Sequence, residues 1–221
     1  LQNNMAVPAG TVGGRSGAIL AANDLFRIRI QGVGGHAAMP NNTLDPMPVM
    51  AALIQALQTI TSRNMDPIDG AVISVTTVHG GDAHNVIPPV VKLTGTVRTL
   101  RESVRDMIEA RMGQMVQGIA AAFGAQGRLD YGRHYPVTVN HAQETVHAAQ
   151  AAAAVAGADR VRDDMPPTLG GEDFSFMLQK RPGAYIWLGN GEQSASLHSP
   201  YYDFNDDALP LGVGYWSALV R

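Results

Sequence analysis

Residues 25–30 read LFRIRI, and this stretch decides how the chain around it folds. Its three apolar side chains after the first leucine alternate with Arg27 and Arg29. A two-residue period places apolar side chains on one face and charged ones on the other, as in a β-strand with one buried face. The stretch therefore predicts a strand that covers a hydrophobic core.

The spacing of apolar residues changes downstream of this strand. After a glycine-rich loop, QGVGGHAAMP, apolar residues recur every three to four positions between Leu44 and Ile60, which predicts an amphipathic helix. Thr43 is the expected N-cap of this helix. Pro46 falls in the first turn, where proline is favoured.

Four more elements follow, in the order strand, strand, helix, strand: residues 71–79, residues 90–100, Glu102 to Phe123, and residues 128–135. The helix is expected to turn Arg105 toward solvent. Residues 25–135 thus read β-α-β-β-α-β. This is the pattern of a four-stranded antiparallel sheet with two helices on one face.

The segments outside this pattern indicate an α/β arrangement. They contain a strand-turn fragment, three helices and one buried strand, at residues 1–22, 141–156, 169–183, 207–220 and 184–190. An α/β sheet needs several neighbouring strands with both faces covered, and these segments supply too few. The sequence predicts an incomplete α/β domain, residues 1–22 and 137–221, interrupted by a complete domain at residues 23–136.

Composition argues against several classes of function. The 221 residues carry a net charge of -3 without a basic cluster, which argues against nucleic acid as a partner. The chain has no cysteine, so it forms neither disulfides nor thiolate metal sites. It shows no apolar run of about 18 residues and no charged-then-apolar leader, so we expect no membrane partner and a cytoplasmic location.

One candidate site lies near the end of the chain. SASLHSP, residues 194–200, places His198 in a short loop after the buried strand, with Asp203 nearby. The ends of such strands are where sites collect, so His198 suits a metal ligand or a general base; a surface histidine bonded to a carbonyl is the alternative. Glu172 and Asp173 stand at a helix start, where they either orient a ligand histidine or cap the helix.

Three more candidates lie in the β-α-β-β-α-β segment. His36 follows paired glycines, which let the backbone approach a ligand, although a structural turn histidine fits equally well. Asn85 and Arg98 are expected on adjacent strands of one sheet, where Arg98 could present its guanidinium to a carboxylate. A solvated arginine is the alternative unless His36 and Asn85 converge beside it.

Nine motifs occur in a fixed order along the chain: LQNNMAVPAGTVG, GGHAAMP, DP, HNVIP, GTVRT, GGEDFSF, LGNG, LHSPYYDFND and ALPLGVGYW. In this order they closely resemble the C-terminal part of the M20 metallopeptidase family. The nearest branch is that of the hippurate hydrolases and N-acyl-amino-acid amidohydrolases. The resemblance implies a zinc-peptidase-like α/β catalytic domain, interrupted by a lid with the β-α-β-β-α-β order.

The resemblance also implies a chemistry. Such enzymes hydrolyse the amide bond of N-acyl amino acids or related small amides with two divalent metal ions, zinc or manganese, and a glutamate base. His198 would be a metal ligand, with Glu172 and Asp173 beside the metal site. Gln2 stands where the family has a histidine, and the family's other metal-binding segment is not in this chain. The chain alone is therefore not expected to bind metal stoichiometrically.

By the same resemblance, His36, Asn85 and Arg98 would be lid residues that bind the substrate carboxylate and the developing oxyanion. The enzyme is expected to be a homodimer through its lid, and its partner is expected to be a small N-acyl amino acid or amide. Two alternatives stay open. The chain could be a catalytically inactive remnant that dimerises or binds carboxylates, or it could be an unrelated α+β binding domain.

Overall fold

The computed structural model describes residues 1–220. The strands, in chain order, are β1 (Gln2–Asn4), β2 (Val12–Gly13), β3 (Gly17–Leu20), β4 (Ala22–Gln31), β5 (Gly35–His36), β6 (Ala71–His79), β7 (Val86–Ile87), β8 (Val90–Thr99), β9 (Gln126–Tyr135), β10 (Thr138–Asn140), β11 (Val161–Arg162) and β12 (Trp187–Gly189). The α-helices are α1 (Pro46–Thr59), α2 (Glu102–Ala122), α3 (Ala142–Ala156), α4 (Phe174–Leu178) and α5 (Leu209–Leu219).

These elements form two compact units. The central unit comprises Ala21–Pro136 with Leu169–Gly171. The terminal unit comprises Leu1–Leu20, Val137–Thr168 and the described residues from Glu172 onward. The chain thus changes unit after residues 20, 136, 168 and 171, whereas the sequence predicts junctions after residues 22 and 136.

The central unit is built on a four-stranded antiparallel sheet in the order β6-β8-β4-β9. Strand β4 contains the LFRIRI stretch and pairs with β8 on one side and β9 on the other. Burial alternates residue by residue from Asp24 to Ile30, so the two-residue period predicted for this strand is confirmed. The main elements follow in the order β4-α1-β6-β8-α2-β9, which is the expected β-α-β-β-α-β order.

One hydrophobic core lies between this sheet and helices α1 and α2. Phe26 and Leu93 contribute from the sheet, and Leu57 and Ile108 contribute from the helices; each is at most 1% exposed. Gly95 lies opposite Phe26 across the β4–β8 pair. A Cβ at Gly95 would lie 2.3 Å from the Phe26 ring, so the close packing at this point requires a glycine.

The predicted start of helix α1 is wrong by two residues. The N-cap is Asp45, whose Oδ1 accepts a hydrogen bond from Met47 N at 2.9 Å. Thr43 instead donates its hydroxyl to Pro40 O at 2.8 Å. Pro46 occupies the first turn as expected, and it disfavours a helical conformation in the residue before it. The proline therefore makes Asp45 the last residue outside the helix.

The predicted outward orientation of Arg105 on α2 is also wrong. Arg105 is 4% exposed and Asp24, on β4, is 1% exposed. Two hydrogen bonds join them, Nη2 to Oδ1 at 2.5 Å and Nε to Oδ2 at 2.8 Å, and Tyr131 donates its hydroxyl to the same carboxylate. Burying these two charges is possible because each neutralises the other.

The terminal unit contains a four-stranded mixed sheet in the order β1-β12-β2-β11. The outer two pairs, β1–β12 and β2–β11, are parallel, whereas β12 and β2 are antiparallel. A separate antiparallel ribbon joins β3 to β10. Helix α3 packs against α5, and the unit has two clusters of buried apolar residues, one around Ile186 and one around Trp187. The α/β class expected from the sequence is confirmed.

None of the described helices combines the length and the apolar character that crossing a bilayer requires.

Candidate functional site

Side chains from distant parts of the sequence meet beside the parallel β1–β12 pair. Tyr185, two residues before β12, is 4% exposed. Its hydroxyl donates to Glu172 Oε2 at 2.9 Å and also lies within hydrogen-bond distance of Gln2 Oε1. A phenol has only one proton, so both contacts are satisfied when the Gln2 amide turns over and donates its N–H to the phenol oxygen. Gln2, Glu172 and Tyr185 thus form one polar contact.

Burial raises the pKa of Tyr185 far above its usual value, and the hydrogen bond to the Glu172 carboxylate raises that pKa further. The phenol therefore stays protonated at neutral pH and holds the carboxylate in place. Sequence reasoning missed Tyr185. The available signal was a tyrosine inside an apolar stretch, AYIWLG, because a buried phenol requires a hydrogen-bond partner.

Glu172 serves two purposes at once. Its Oε1 accepts a hydrogen bond from Phe174 N at 3.2 Å at the start of α4, while its Oε2 accepts the Tyr185 hydroxyl. Glu172 therefore accepts the first backbone N–H of α4 although the N-cap position is that of Asp173, and the same side chain is also fixed toward β12. Asp173, by contrast, is exposed and does not cap α4 with its side chain.

His198 lies in the loop that follows β12, and its side chain is exposed. Its φ is 66°, and no other described residue except glycine has a positive φ. The left-handed region costs a residue with a Cβ about 1–2 kcal/mol, so the surrounding loop must hold this conformation. The position of His198 after a buried strand matches the expectation, and its role as a ligand stays a prediction.

The described residues do not fit a metal centre on their own. Within residues 1–220 no group of three or more His, Asp or Glu side chains is placed to hold a metal ion. The Gln2 amide is engaged by Tyr185, and an amide oxygen is in any case a weaker zinc ligand than imidazole. A metal at His198 would therefore require ligands from outside the described residues.

The structure brings His36 and Asn85 together. Strand β5 pairs with β7 in a two-stranded ribbon, and Ala37 N donates to Asn85 O at 3.0 Å. His36 Nδ1 accepts a hydrogen bond from Ala38 N at 3.1 Å, so a neutral His36 carries its proton on Nε2 and presents it at the exposed surface. The expectation that Asn85 lies on a strand of the main sheet is wrong. Asn85 lies in the turn that immediately precedes β7.

Arg98 lies elsewhere in the central unit. It is near the end of β8, eight residues from Val90, which corresponds to about 27 Å along the strand. The β5–β7 ribbon joins the sheet at the Val90 end, where Gly32 N donates to Pro89 O. Arg98 donates to Thr96 Oγ1 and Val97 O, and burial lowers the pKa of Arg98 although Asp24 opposes this change. The described hydrogen bonds do not join Arg98 to His36 or Asn85.

Two bacterial deacetylases are similar to this chain in sequence. N-acetylcysteine deacetylase from Bacillus subtilis is 36% identical over 221 residues, which are 100% of this chain and 57% of that protein. N-acetyldiaminopimelate deacetylase from Bacillus velezensis is 37% identical over 215 residues, which are 96% of this chain and 57% of that protein. The chain therefore spans little more than half the length of these relatives.

Solved structures agree with the sequence relatives. An aminohydrolase from methicillin-resistant Staphylococcus aureus has a TM-score of 0.88 at 25% identity, covering 98% of this chain and 56% of its own. A dinuclear metal-binding peptidase of the M20 family from Bacillus subtilis has a TM-score of 0.82 at 29% identity, covering 98% of this chain and 54% of its own. The model of peptidase family M20/M25/M40 matches residues 13–221. The chain therefore belongs to peptidase family M20/M25/M40.

Proposed function

We propose that this chain is the lid and C-terminal catalytic segment of a metal-dependent hydrolase that cleaves the amide bond of N-acyl amino acids or related small amides, as hippurate hydrolases do. The observation that carries the proposal is the match over essentially the whole chain to two enzymes named as deacetylases of N-acetylated amino acids. Removing an acetyl group from an amine is hydrolysis of an amide bond. The central unit is the lid in this proposal.

His198 supplies one ligand to a divalent metal, zinc or manganese, in the complete enzyme. Imidazole accepts either ion, and the exposed His198 side chain is free to meet ligands from another segment. The other ligands come from sequence that this chain does not include, because the described residues contain no group of three. Glu172, held by Tyr185, and Asp173 lie beside the metal and orient the groups around it.

The lid supplies donors to the substrate. His36 presents its Nε2 proton at the surface. Asn85, in the turn before β7, is the second donor in this proposal, and its backbone oxygen accepts from Ala37 N beside His36. Neutral donors of this kind stabilise the oxyanion that forms when water adds to an amide carbonyl. Arg98 pairs with the carboxylate of the amino-acid part of the substrate, for which a guanidinium has the matching planar geometry.

The separation of Arg98 from the His36–Asn85 ribbon supports a homodimer through the lid. Strands β6 and β9 are the two edges of the lid sheet, and an unpaired edge invites pairing with a second copy. Each copy then contributes residues of its lid to the substrate site of the other copy. Light scattering at micromolar concentration tests this point: a dimer mass is expected, and a monomer mass would overturn it.

A second candidate function is a catalytically inactive module that dimerises or binds carboxylates through Arg98. The observation in its favour is that Tyr185 engages Gln2, the residue for which the resemblance implies a ligand histidine in the family. A module of this kind would bind N-acyl amino acids without hydrolysing them.

The two candidates are separated by bound metal and by turnover. Bound zinc or manganese is measured by elemental analysis after desalting, and turnover is measured as amine release from hippurate and N-acetyl amino acids. The chain is tested alone and fused to the segment of N-acetylcysteine deacetylase that it does not match. The fused protein is expected to bind metal and to hydrolyse at least one of these amides.

In the fused protein, His198→Ala is expected to abolish turnover and the metal binding that depends on His198. His147→Ala is the matched control, because His147 is exposed on α3 and has no assigned role. Metal binding without turnover on any of the amides would favour the inactive module. Full metal occupancy and turnover in His198→Ala would overturn the assigned ligand.

A further inference from the structure

Asn190 follows β12 directly and is 4% exposed, so its polar side chain is buried at the base of the loop that carries His198. We propose that Asn190 is the positioning residue of this loop: it closes the loop at its base and thereby fixes the position of the turn that carries His198. The functional meaning of this inference rests on the proposed role of His198 as a metal ligand. The structural part rests on hydrogen bonds alone.

The side chain of Asn190 uses all four of its hydrogen-bonding positions. Its Nδ2 donates to Ser194 Oγ at 2.6 Å and to Asp203 O at 3.2 Å. Its Oδ1 accepts from Asn3 Nδ2 at 2.7 Å and from Asn205 N at 2.8 Å. An asparagine amide has two donor hydrogens and two acceptor lone pairs, so none is left over. One buried side chain thus ties the first part of the loop to its last part and to β1.

The orientation of this amide has no alternative. If the amide turned over, its oxygen would face the Asp203 carbonyl and its NH₂ would face the Asn205 N–H, so both contacts would become repulsive. Asn205 adds a further bond by donating its Nδ2 to Asn190 O at 3.2 Å. The main chain and side chain of Asn190 therefore both hold the end of the loop.

The tip of the loop, by contrast, is held by its own short turns. Ser199 N donates to Ser196 O, and Tyr202 N donates to Ser199 O. His198 is the third residue of the first of these turns, the position at which a type II turn has a positive φ. Tyr202 is tied to the base through its hydroxyl, which accepts from Asn3 Nδ2 at 2.9 Å. Asn3 is itself bonded to Asn190. The turn accounts for the φ of His198, and the closed base fixes where that turn lies.

The test uses the complete metal-free chain with Asn190→Ala. Each lost hydrogen bond is worth roughly 1 kcal/mol, so we expect exchange of the loop's bonded amides to become about 10- to 100-fold faster. The amides to follow by hydrogen exchange are those of Ser194, Ser199, Tyr202 and Asn205. The heteronuclear NOE of the His198 amide, which reports motion of the loop tip, should fall.

Asn140→Ala is the matched control. Asn140 is also buried, at 2% exposed, and its side chain also bonds to several segments: it donates to Arg15 O and Tyr185 O and accepts from Tyr185 N. It has no bond to the His198 loop among those described. Asn140→Ala should therefore destabilise the terminal unit while the His198 NOE keeps its value.

Two milder variants keep the inference testable if Asn190→Ala does not fold. Asn190→Asp retains the acceptor for Asn205 N but places an oxygen against the Asp203 carbonyl, so it should free the loop less than alanine does. Ser194→Ala removes a single bond and should accelerate only the nearby amides, by several-fold. Unchanged loop exchange and an unchanged His198 NOE in a folded Asn190 variant would overturn the inference.

These readouts do not depend on metal or on turnover, so their failure is distinct from failure of the proposed function. In the fused protein the same Asn190→Ala change should weaken metal binding by about 10- to 100-fold, as the loss of other residues that orient ligands does. A freed loop with unchanged metal affinity would retain Asn190 as the anchor of the loop and would remove His198 from the metal site.

Discussion

The central and terminal units bury their side chains by different means. The central unit is almost one continuous stretch of chain, and the four strands of its main sheet are nine or ten residues long. The terminal unit is assembled from three separate stretches, and its strands are two to four residues long. A long element repeats its pattern enough to be recognised, whereas a strand of two residues has no pattern at all.

The second difference is in what joins the parts of each unit. In the central unit a single apolar core extends from the sheet to both helices, with one buried ion pair. In the terminal unit, buried polar side chains connect segments that are far apart in sequence, such as Gln2 with Tyr185 and Asn3 with Asn190. Mutations that remove one buried polar partner should therefore affect the two units in different ways.

The largest expected effect is that of Arg105→Met in the central unit. It leaves the Asp24 carboxylate buried without its partner, which should lower the free energy of unfolding by about 3–5 kcal/mol. Urea unfolding followed by far-UV circular dichroism measures this loss. Arg101→Ala is the control, because Arg101 pairs with Asp69 at the surface with 61% of its side chain exposed, and such pairs contribute at most about 1 kcal/mol.

The same experiment shows whether the two units unfold independently. Both tryptophans of the chain, Trp187 and Trp216, belong to the terminal unit, so tryptophan fluorescence reports that unit alone. Arg105→Met should shift the circular dichroism transition more than the fluorescence transition. An equal shift in both transitions would mean that the units unfold together, and the two units would then not differ in their response to mutation.

Asn140→Ala should have the next largest effect, in the terminal unit. It removes three hydrogen bonds and leaves Tyr185 N without its partner, which should cost about 1–3 kcal/mol. In this variant the fluorescence transition should shift more than the circular dichroism transition. Asn41→Ala, at an exposed position of the central unit, should leave that transition where it is.

Asp45→Ala tests the corrected start of helix α1. Loss of the cap to Met47 N should lower the free energy of unfolding by about 0.5–2 kcal/mol. Thr43→Ala, which alters the residue expected from the sequence, should cost less than Asp45→Ala because Thr43 does not cap the helix. Equal losses in chemical denaturation, or a larger loss for Thr43→Ala, would restore the original expectation.

Tyr185→Phe should have the smallest effect at neutral pH, about 1 kcal/mol, through loss of the hydrogen bond to Glu172. Its effect on pH dependence is sharper. The folded state raises the pKa of Tyr185, so the unfolded chain loses this proton near pH 10 while the folded chain keeps it. The stability linked to Tyr185 is therefore present below pH 10 and falls above it, by about 1.4 kcal/mol per pH unit.

Unfolding at pH 9, 10 and 11, followed by tryptophan fluorescence, measures this slope. The slope in Tyr185→Phe should be smaller than in the wild type by the contribution of one tyrosine. Tyr201→Phe is the control, since Tyr201 is 86% exposed and its loss should leave the slope unchanged. Identical slopes in all three proteins would show that the Tyr185 contact does not persist in solution.

Much of the central unit could be predicted from local patterns. The alternation in β4 and the three-to-four spacing in α1 each depend on one burial direction, which the residues themselves display. The errors came where a residue takes a partner across the core. Arg105 is on the side expected to be polar, and only the approach of β4 to α2 supplies Asp24. Asn85 was misplaced because a two-residue strand carries no periodicity.

The candidate site was predictable only in part. Glu172 and His198 stand out because a carboxylate at a helix start and a histidine after a buried strand are local signals. Tyr185 and Asn190 gave no comparable signal, because their meaning depends on partners such as Gln2 and Asn3 at the opposite end of the chain. A side chain's local neighbours do not reveal which distant group it will be buried against.

By itself the sequence determined the class of the fold, the order of elements in the central unit and, through the order of its motifs, membership of the M20 family. These follow from repeated patterns and from motifs that can be recognised in a single chain. The tertiary structure alone decided the Asp24–Arg105 pair, the Tyr185 contact, the closure of the His198 loop by Asn190 and the separation of Arg98 from His36. Each of these depends on distances between residues far apart in sequence, which arise only when the elements pack.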